Sequence, residues 1–260
     1  MLTIAHISDL HCGGPHFVPN LLERAISEVN DLEPDLVICS GDLTSFGFKQ
    51  EYAEAKAYLD SIKCGSLVVI PGNHDSRNVG YVHFEELFGD RNSVLRLGGV
   101  TVVAIDSTEP DLDHGQVGRG RYGWIEEQFA SPADLRIFVL HHHLLPVPGT
   151  GRERNIVYDA GDLIECLQRS NVNIVLSGHK HVPYAWKLED MFIVNAGTVS
   201  SMRLRGNTRQ CYNVIEIDDG HVEVTRRYPF HGRERIIEFS LETLAFQKYT
   251  AGIEREVTTR

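Results

Sequence analysis

Residues 67–75 read Leu-Val-Val-Ile-Pro-Gly-Asn-His-Asp, and the order of those residues decides the fold. Leu67 to Ile70 is a short, wholly apolar run, the pattern of a strand covered on both faces, and Pro71-Gly72 stops it. Asn73, His74 and Asp75 follow at once, so polar, coordinating side chains stand where the strand ends. In open α/β sheets that carboxyl edge is where ligand sites assemble.

The same arrangement recurs on either side. Leu2 to Ser8 reads as a strand and runs into Asp9-Leu10-His11. Leu36 to Ser40 runs into Gly41-Asp42, Ile137 to Leu140 into His141-His142-His143, and Ile174 to Leu176 into Ser177-Gly178-His179-Lys180-His181. Five strands thus deliver Asp, Asn or His to one edge. Asp9/His11 and His179/His181 are spaced i, i+2, which puts both members of each pair on one face of an extended backbone. Between the strands, Leu21 to Val29, Glu51 to Ile62, Trp124 to Ala130 and Asp162 to Arg169 carry helical patterns. Val94 to Leu97 and Val100 to Ile105 flank Gly98-Gly99 as a hairpin.

Past residue 190 the texture changes to strands alone: Met191 to Val194, Tyr212 to Ile217, Val222 to Tyr228 and Arg235 to Phe239, the middle pair joined by the turn Asp218-Asp219-Gly220. A chain that passes from βα units into a β-rich end predicts two packed sheets with helices outside. Residues 1–240 are expected to form one catalytic domain. Residues 241–260, mixed and charged from about Thr243, are expected to be a terminal helix or a loosely held tail.

Composition narrows the partners. The 260 residues hold 36 acids and 25 bases, a net charge of −11, which argues against a broad footprint for nucleic acid or an anionic membrane. Five scattered cysteines without a Cys-x-x-Cys pair suit a reducing compartment. Met1 to Leu10 lacks a basic start and is interrupted by Asp9, so it does not read as a signal peptide. No apolar run is long enough to span a bilayer. The expectation is a soluble, cytoplasmic protein of undetermined oligomeric state.

Carboxylate, imidazole and amide oxygen without cysteine suit Mn, Fe, Co or Zn in a reactive site rather than a structural zinc. Asp9, His11, Asp42, Asn73, one of the three central histidines, His179 and His181 are enough ligands for two ions sharing a carboxylate. Such a pair clamps a phosphoryl group and acidifies a bridging water. Two cations in a cleft also supply the positive potential that an acidic chain otherwise lacks.

Asp9-x-His11, Gly41-Asp42, Gly72-Asn73-His74-Asp75, His141 and Gly178-His179-x-His181, in that order, resemble the calcineurin-like metallophosphoesterases. Within them the chain is most similar to the class III cyclic-nucleotide and glycerophosphodiester phosphodiesterases. The resemblance covers roughly residues 3–198, including Asn195-Ala196-Gly197-Thr198 in place of the family's Asn-Pro-Gly-Ser. It implies an α/β (α+β) fold, a four-layer α/β/β/α sandwich of two mixed sheets. It implies two divalent ions of Mn, Fe or Zn, one held by Asp9, His11 and His181, the other by Asn73, His141 and His179, with Asp42 bridging. It implies that His74 with Asn73 meets the phosphoryl group and assists the leaving group, and that Asp75 orients the His74 ring. The implied reaction is hydrolysis of a small-molecule phosphodiester by a hydroxide held between the ions. Rival readings keep the core but act on monoesters or nucleotide pyrophosphates, or keep the ions as a non-catalytic scaffold, for which His74 would be superfluous.

Other residues stay open at this stage. Arg77, Arg203 and Arg205 either grip a phosphate or lie on solvated surface. Tyr81, His83, Phe84 and Phe88 either line a base-binding wall or are the apolar face of a helix. Lone histidines such as His6 read as hydrogen-bonded structural residues.

Overall fold

A computed structural model describes residues 1–148, 150, 156–205 and 208–249. Residues 149, 151–155, 206–207 and 250–260 lie outside the described residues, and of the segment 241–260, for which a helix or a loose tail is expected, the described part holds a strand at Phe246–Lys248.

The first sheet contains β1 (Leu2–Ile7), β2 (Leu36–Cys39), β3 (Leu67–Val69), β10 (Tyr212–Asp218), β11 (His221–Tyr228), β12 (Gly232–Ser240) and β13 (Phe246–Lys248). Its order is β13-β12-β11-β10-β1-β2-β3, with β1, β2 and β3 parallel and the other pairings antiparallel. The second sheet is built from β4 (Ser93–Leu97), β5 (Val100–Ala104), β6 (Leu135–Val139), β7 (Ile174–Ser177), β8 (Tyr184–Leu188) and β9 (Met191–Asn195), in the order β4-β5-β6-β7-β9-β8. There β5, β6, β7 and β9 run parallel, with β4 and β8 antiparallel at the edges.

The alternation of side chains along each strand sorts the core into three layers. Ile4, Leu36, Ile38 and Val68 of the first sheet face Val102, Ile137, Val139, Ile174, Leu176, Phe192 and Val194 of the second. Their neighbours Ala5, Ile7, Val37 and Cys39 point the other way, against Leu22, Ala25 and Val29 of α1 (Pro19–Asp31), Tyr52, Ala55 and Leu59 of α2 (Lys49–Asp60) and Phe84 of α3 (Gly80–Phe88). Val103, Phe138, Leu140, Val175 and Ile193 do the same on the far side, against Ile125 and Phe129 of α4 (Tyr122–Phe129) and Leu163, Cys166 and Leu167 of α5 (Ala160–Arg169). The four-layer α/β/β/α sandwich of two mixed sheets is thus borne out.

Two strands carry no signal in the sequence reading, β8 and β13. Both are short edge strands, and β13 extends the first sheet through three residues that are all exposed. Among the described residues no helix is long and apolar enough to cross a membrane.

Candidate metal centre

The carboxyl ends of β1, β2, β3, β6 and β7 meet at one edge of the two sheets, and the polar residues that follow them form one buried cluster. Asp9 and His141 are fully buried, Asp42 and Asn73 are nearly so, and only His74 and His179 keep partial exposure. The chain turns abruptly to bring them there: Asp9, His11, Asp42, His179 and His181 all have left-handed backbone, with φ of 55°, 55°, 53°, 78° and 58°. Such conformations cost roughly 1 kcal/mol or more each for a residue with a Cβ and concentrate at functional sites.

That backbone corrects one expectation. His179 and His181 do not share a face, because neither is extended. His179 Nδ1 lies 2.9 Å from Asn73 Oδ1, while His181 Nε2 lies 2.8 Å from His11 Nε2 and 3.3 Å from Asp9 Oδ1. The donors therefore fall into two groups. Asp9, His11 and His181 make the first, with their donor atoms within 4.8 Å of one another. In the second, His141 Nε2 sits 3.2 Å from Asn73 Oδ1, which also meets His179. Asp42 stands between them, Oδ1 at 3.4 Å from His141 Nε2 and Oδ2 at 3.6 Å from His11 Nε2.

The donor chemistry fits two cations. The Ser40 carbonyl can only accept, so His141 Nδ1, 2.8 Å away, carries the hydrogen and Nε2 offers a lone pair. With the ring neutral, that lone pair faces the oxygens of Asn73 and Asp42, and the three atoms can share one cation. His181 repeats this: Nδ1 donates to the Arg203 carbonyl, and Nε2 is turned toward His11 and Asp9. Metal-binding histidines are commonly fixed by such a hydrogen bond from the other ring nitrogen.

Electrostatics give the same division. Burial works against charge on His141, but the Asp42 carboxylate outweighs it and raises the imidazole to about 9. Burial likewise opposes charge on His181, and Asp9 likewise raises it. Burial pushes His11 down to about 3 and His179 well below its ordinary value, the latter with the help of His142, His141 and His143. Against the burial penalty, His181 and His141 hold Asp9 down, and His141, His74 and His11 hold Asp42 well down. Without ions, the Asp42 and Asp9 carboxylates favour a proton on His141 and on His181 respectively.

Of the three consecutive histidines, it is His141 that reaches Asp42 and Asn73. His142 Nδ1 pairs with Ser107 Oγ at 2.8 Å, and His143 Nδ1 meets the Asn195 amide. Two glycines of the motifs exist for close approach: a Cβ on Gly72 would stand 2.2 Å from Asp42 Oδ1, and one on Gly178 would stand 1.9 Å from Ser8 Oγ and 2.5 Å from Asp9 Oδ2. Beyond β9, Thr198 Oγ1 donates to the Asp9 carbonyl and Ser200 Oγ to that of Leu10, which ties the second sheet to the turn after β1.

His74 lies over this cluster. Its Nδ1 donates to the Ser45 carbonyl at 2.6 Å and its backbone N–H to Asp42 Oδ1 at 2.9 Å. The expectation that Asp75 orients the ring is corrected. The Asp75 carboxylate is buried and accepts from the N–H groups of Leu43, Thr44 and Gly72 and from the Thr44 hydroxyl, at 2.7–2.9 Å, so it braces the turns after β2 and β3. Its donors are committed to those turns, and the ring faces Ser45 instead. Burial, followed by the charge of Asp42, pushes Asp75 up to about 7.

Sequence reading missed Asp113, whose Oδ1 accepts from the Asn73 amide at 3.3 Å and pairs with Arg77. The cavity over the cluster is lined by Asn73, His74, Arg77, Asp113, His179, Lys180, His181, Arg203 and Arg205. Tyr81, His83, Phe84 and Phe88 take no part in that lining. They belong to α3, where Phe84 is fully buried and its ring lies 5.1 Å from that of Phe88, so the helix-face alternative holds. A wider groove of about 650 Å³ opens between α1 and α2, but none of the clustered histidines lines it, so size alone does not locate the chemistry.

A two-sheet sandwich with paired donor groups and a shared carboxylate at the strand ends defines the class of α/β proteins built around a metal centre. Residues 2–183 match the calcineurin-like phosphoesterase family, and the chain belongs to it. It is 30% identical over 159 residues to a probable cyclic nucleotide phosphodiesterase of Rhodococcus erythropolis (57% of this chain, 52% of that protein). It is 26% identical over 194 residues to a cAMP/cGMP dual specificity phosphodiesterase of Mycobacterium tuberculosis (68% and 61%). A probable glycerophosphodiester phosphodiesterase of Arcobacter nitrofigilis is 30% identical over 131 residues, 47% of either chain. The matches to these three thus span about half to three-fifths of their lengths. Among solved structures, a purple acid phosphatase from yellow lupin superposes with a TM-score of 0.70 at 16% identity, covering 88% of this chain and 52% of that one. A dimetal phosphatase from Danio rerio gives 0.70 at 11% identity, covering 94% and 99%. These two likenesses speak for the fold.

Proposed function

We propose that this chain hydrolyses phosphodiesters of small molecules, with two divalent ions of the Mn, Fe or Zn type held by Asp9, His11 and His181, by Asn73, His141 and His179, and by Asp42 between them. The observation that carries the reading is His74, which lines the cavity beside the donor groups and reaches donors on His11 and Asp42 within 4.8 Å. Its Nδ1–H is committed to the Ser45 carbonyl, so the other nitrogen is the one available to the cavity. When bound, the two ions acidify a water and offset the charge of the phosphoryl oxygens. Asn73 and His74 hold the phosphoryl group, and His74 passes a proton from Nε2 to the departing alkoxide. A diester leaving group needs that proton. The names of the relatives, which act on cyclic nucleotides and glycerophosphodiesters, support the same substrate class. The cavity over the centre is only about 80 Å³, which supports a small substrate.

The test is turnover of bis(p-nitrophenyl) phosphate against p-nitrophenyl phosphate after Mn²⁺ is restored to metal-stripped protein, with His74→Ala alongside. The diester should be cleaved faster, and with cAMP, whose alkoxide leaving group needs a proton, His74→Ala should lower turnover by about 10²–10⁴ while elemental analysis still counts two ions. His74 Nε2 or Nδ1 also falls within 4.8 Å of donors on His11 and Asp42, so an ion lost with the ring would make His74 a ligand and end its role as acid. A faster monoester would favour a phosphomonoesterase with the same core, a reading that the cations on the cavity rim would also serve.

A further inference from the structure

The rim of the cavity carries more positive charge than the reaction requires. Lys180, Arg203 and Arg205 line it, and none of them forms an ion pair with a carboxylate among the described residues. Among other arginines, Arg96, Arg121 and Arg136 likewise lack a carboxylate partner and donate instead to carbonyl or amide oxygens. Arg24, Arg77, Arg91, Arg119, Arg169, Arg226 and Arg235 are all paired with acids. Asp113 is the one carboxylate of the lining, and it is committed to Arg77 and the Asn73 amide.

Of the three, Lys180 is buried and Arg203 is fixed through its backbone, while the side chains of Arg203 and Arg205 are exposed. Lys180 stands between His179 and His181, is only 8% exposed, and its backbone N–H donates to the Gly178 carbonyl at 3.1 Å. Arg203 uses its own carbonyl to fix His181 Nδ1, and its N–H donates to Ser201 Oγ at 3.1 Å. Ser201 N–H in turn donates to Thr198 Oγ1, the hydroxyl anchored on the Asp9 carbonyl. The segment that orients a metal ligand therefore also presents a guanidinium to the cavity.

Charge arithmetic says what they are for. Two divalent ions against Asp9 and Asp42 would leave a surplus of two positive charges, which a phosphoryl dianion, or a monoanionic diester and a hydroxide, already offsets. Lys180 is buried beside the exposed Arg203 and Arg205 with Asp113 as its nearby carboxylate, and like charges brought together with so little counter-charge favour an anion.

Building on the phosphodiesterase reading, we infer that Lys180, Arg203 and Arg205 form a second anion subsite, so that the substrate carries a further phosphate group on the substituent lying toward the rim, beside the phosphoryl group that is cleaved. Arginine's planar fork matches phosphate oxygens, and lysine adds a compact charge. Cyclic nucleotides with a single phosphate would leave the subsite empty. Diesters whose substituent bears a terminal phosphate, including phosphorylated dinucleotides, would fill it. A local cluster of three cations on a chain of net charge −11 favours such a small molecule over a nucleic-acid strand.

The experiment is calorimetric titration of the full Mn²⁺-loaded chain with propyl phosphate and with propane-1,3-diyl bisphosphate. Each can place one phosphate at the centre, and only the second has another for the rim. The bisphosphate should bind at least about tenfold more tightly. That ratio should fall toward unity in Arg203→Ala/Arg205→Ala, and largely return in Arg203→Lys/Arg205→Lys, which restores charge without the fork. Equal affinities in the parent chain, or a ratio untouched by the alanine pair, would overturn the subsite. So would a single-stranded oligonucleotide without terminal phosphates that displaces the bisphosphate at matched phosphate concentration. Turnover of bis(p-nitrophenyl) phosphate by the parent chain is scored separately: its absence sinks the phosphodiesterase reading, whereas the affinity ratio alone decides the subsite.

Discussion

Asp113 holds two groups at once, the Asn73 amide at 3.3 Å and the Arg77 guanidinium. The first of these sets which end of the Asn73 amide faces His141 and His179. With Nδ2 tied to Asp113, Oδ1 is the atom turned toward the imidazoles. Asp113→Ala should release that constraint and weaken the ion held by Asn73, His141 and His179 by about 10–100-fold, leaving the Asp9–His11–His181 site nearly unchanged. A stepwise Mn²⁺ titration by calorimetry reads this directly, and two equally weakened steps would count against it. No pattern in the sequence points to Asp113, because it sits in a loop 40 positions from its partner and belongs to no strand end. Asp9, His11, Asp42, Asn73, His141, His179 and His181 could be picked out because each follows an apolar run. Asp75 could be picked out for the same reason and was given the wrong task, since adjacency to His74 does not say which way a carboxylate points.

At the level of strands and turns, legibility follows burial. β2, β6 and β7 are apolar on both faces and stand out in the sequence, as do the β4–β5 and β10–β11 hairpins with their glycine turns. β8 and β13 are edge strands whose side chains are largely half-buried or exposed, so their formation depends on a neighbour already in place. The turn after β7 is set by contact with β1, and Gly178 is where the two pack closest. Gly178→Ala would drive a methyl into Ser8 Oγ and Asp9 Oδ2. It should destabilise the protein by about 1–3 kcal/mol in urea unfolding and cost it the ion at Asp9, His11 and His181. Unchanged metal content with unchanged stability would show that the two turns are free to part.

For the molecule as a whole, buried histidines set how stability depends on pH in the metal-free state. His6, His142 and His143, like His11, are lowered from 6.5 to about 3, chiefly by burial. Below 6.5 the unfolded chain takes up protons that the folded chain refuses, so stability falls as pH drops, by up to about 1.4 kcal/mol per pH unit for each histidine. Asp75, raised to about 7, opposes this with the weight of a single group between its ordinary value of 3.8 and 7. His141, raised to about 9, acts on the other side: the folded chain keeps its proton between 6.5 and 9, and that stability is lost as pH rises through this window. Urea midpoints of chelator-treated protein should therefore peak near about pH 6.5, and Mn²⁺ should flatten the alkaline limb by replacing the proton on His141. A midpoint that climbs steadily to about pH 9 without metal would contradict this assignment. His6→Phe should make the acid limb shallower by the share of one histidine.

The left-handed backbone at Asp9, His11, Asp42, His179 and His181 has an evolutionary consequence. Glycine or asparagine fits that conformation more comfortably, and replacing Asp9 or Asp42 also removes a buried charge. Copies of this gene freed from selection for chemistry would thus drift toward firmer, metal-free descendants. In such a lineage, loss of the ligands would come early and cheaply, while the sandwich itself persisted. On the proposed reading, such residues persist only for as long as the chemistry they support outweighs the stability they forfeit.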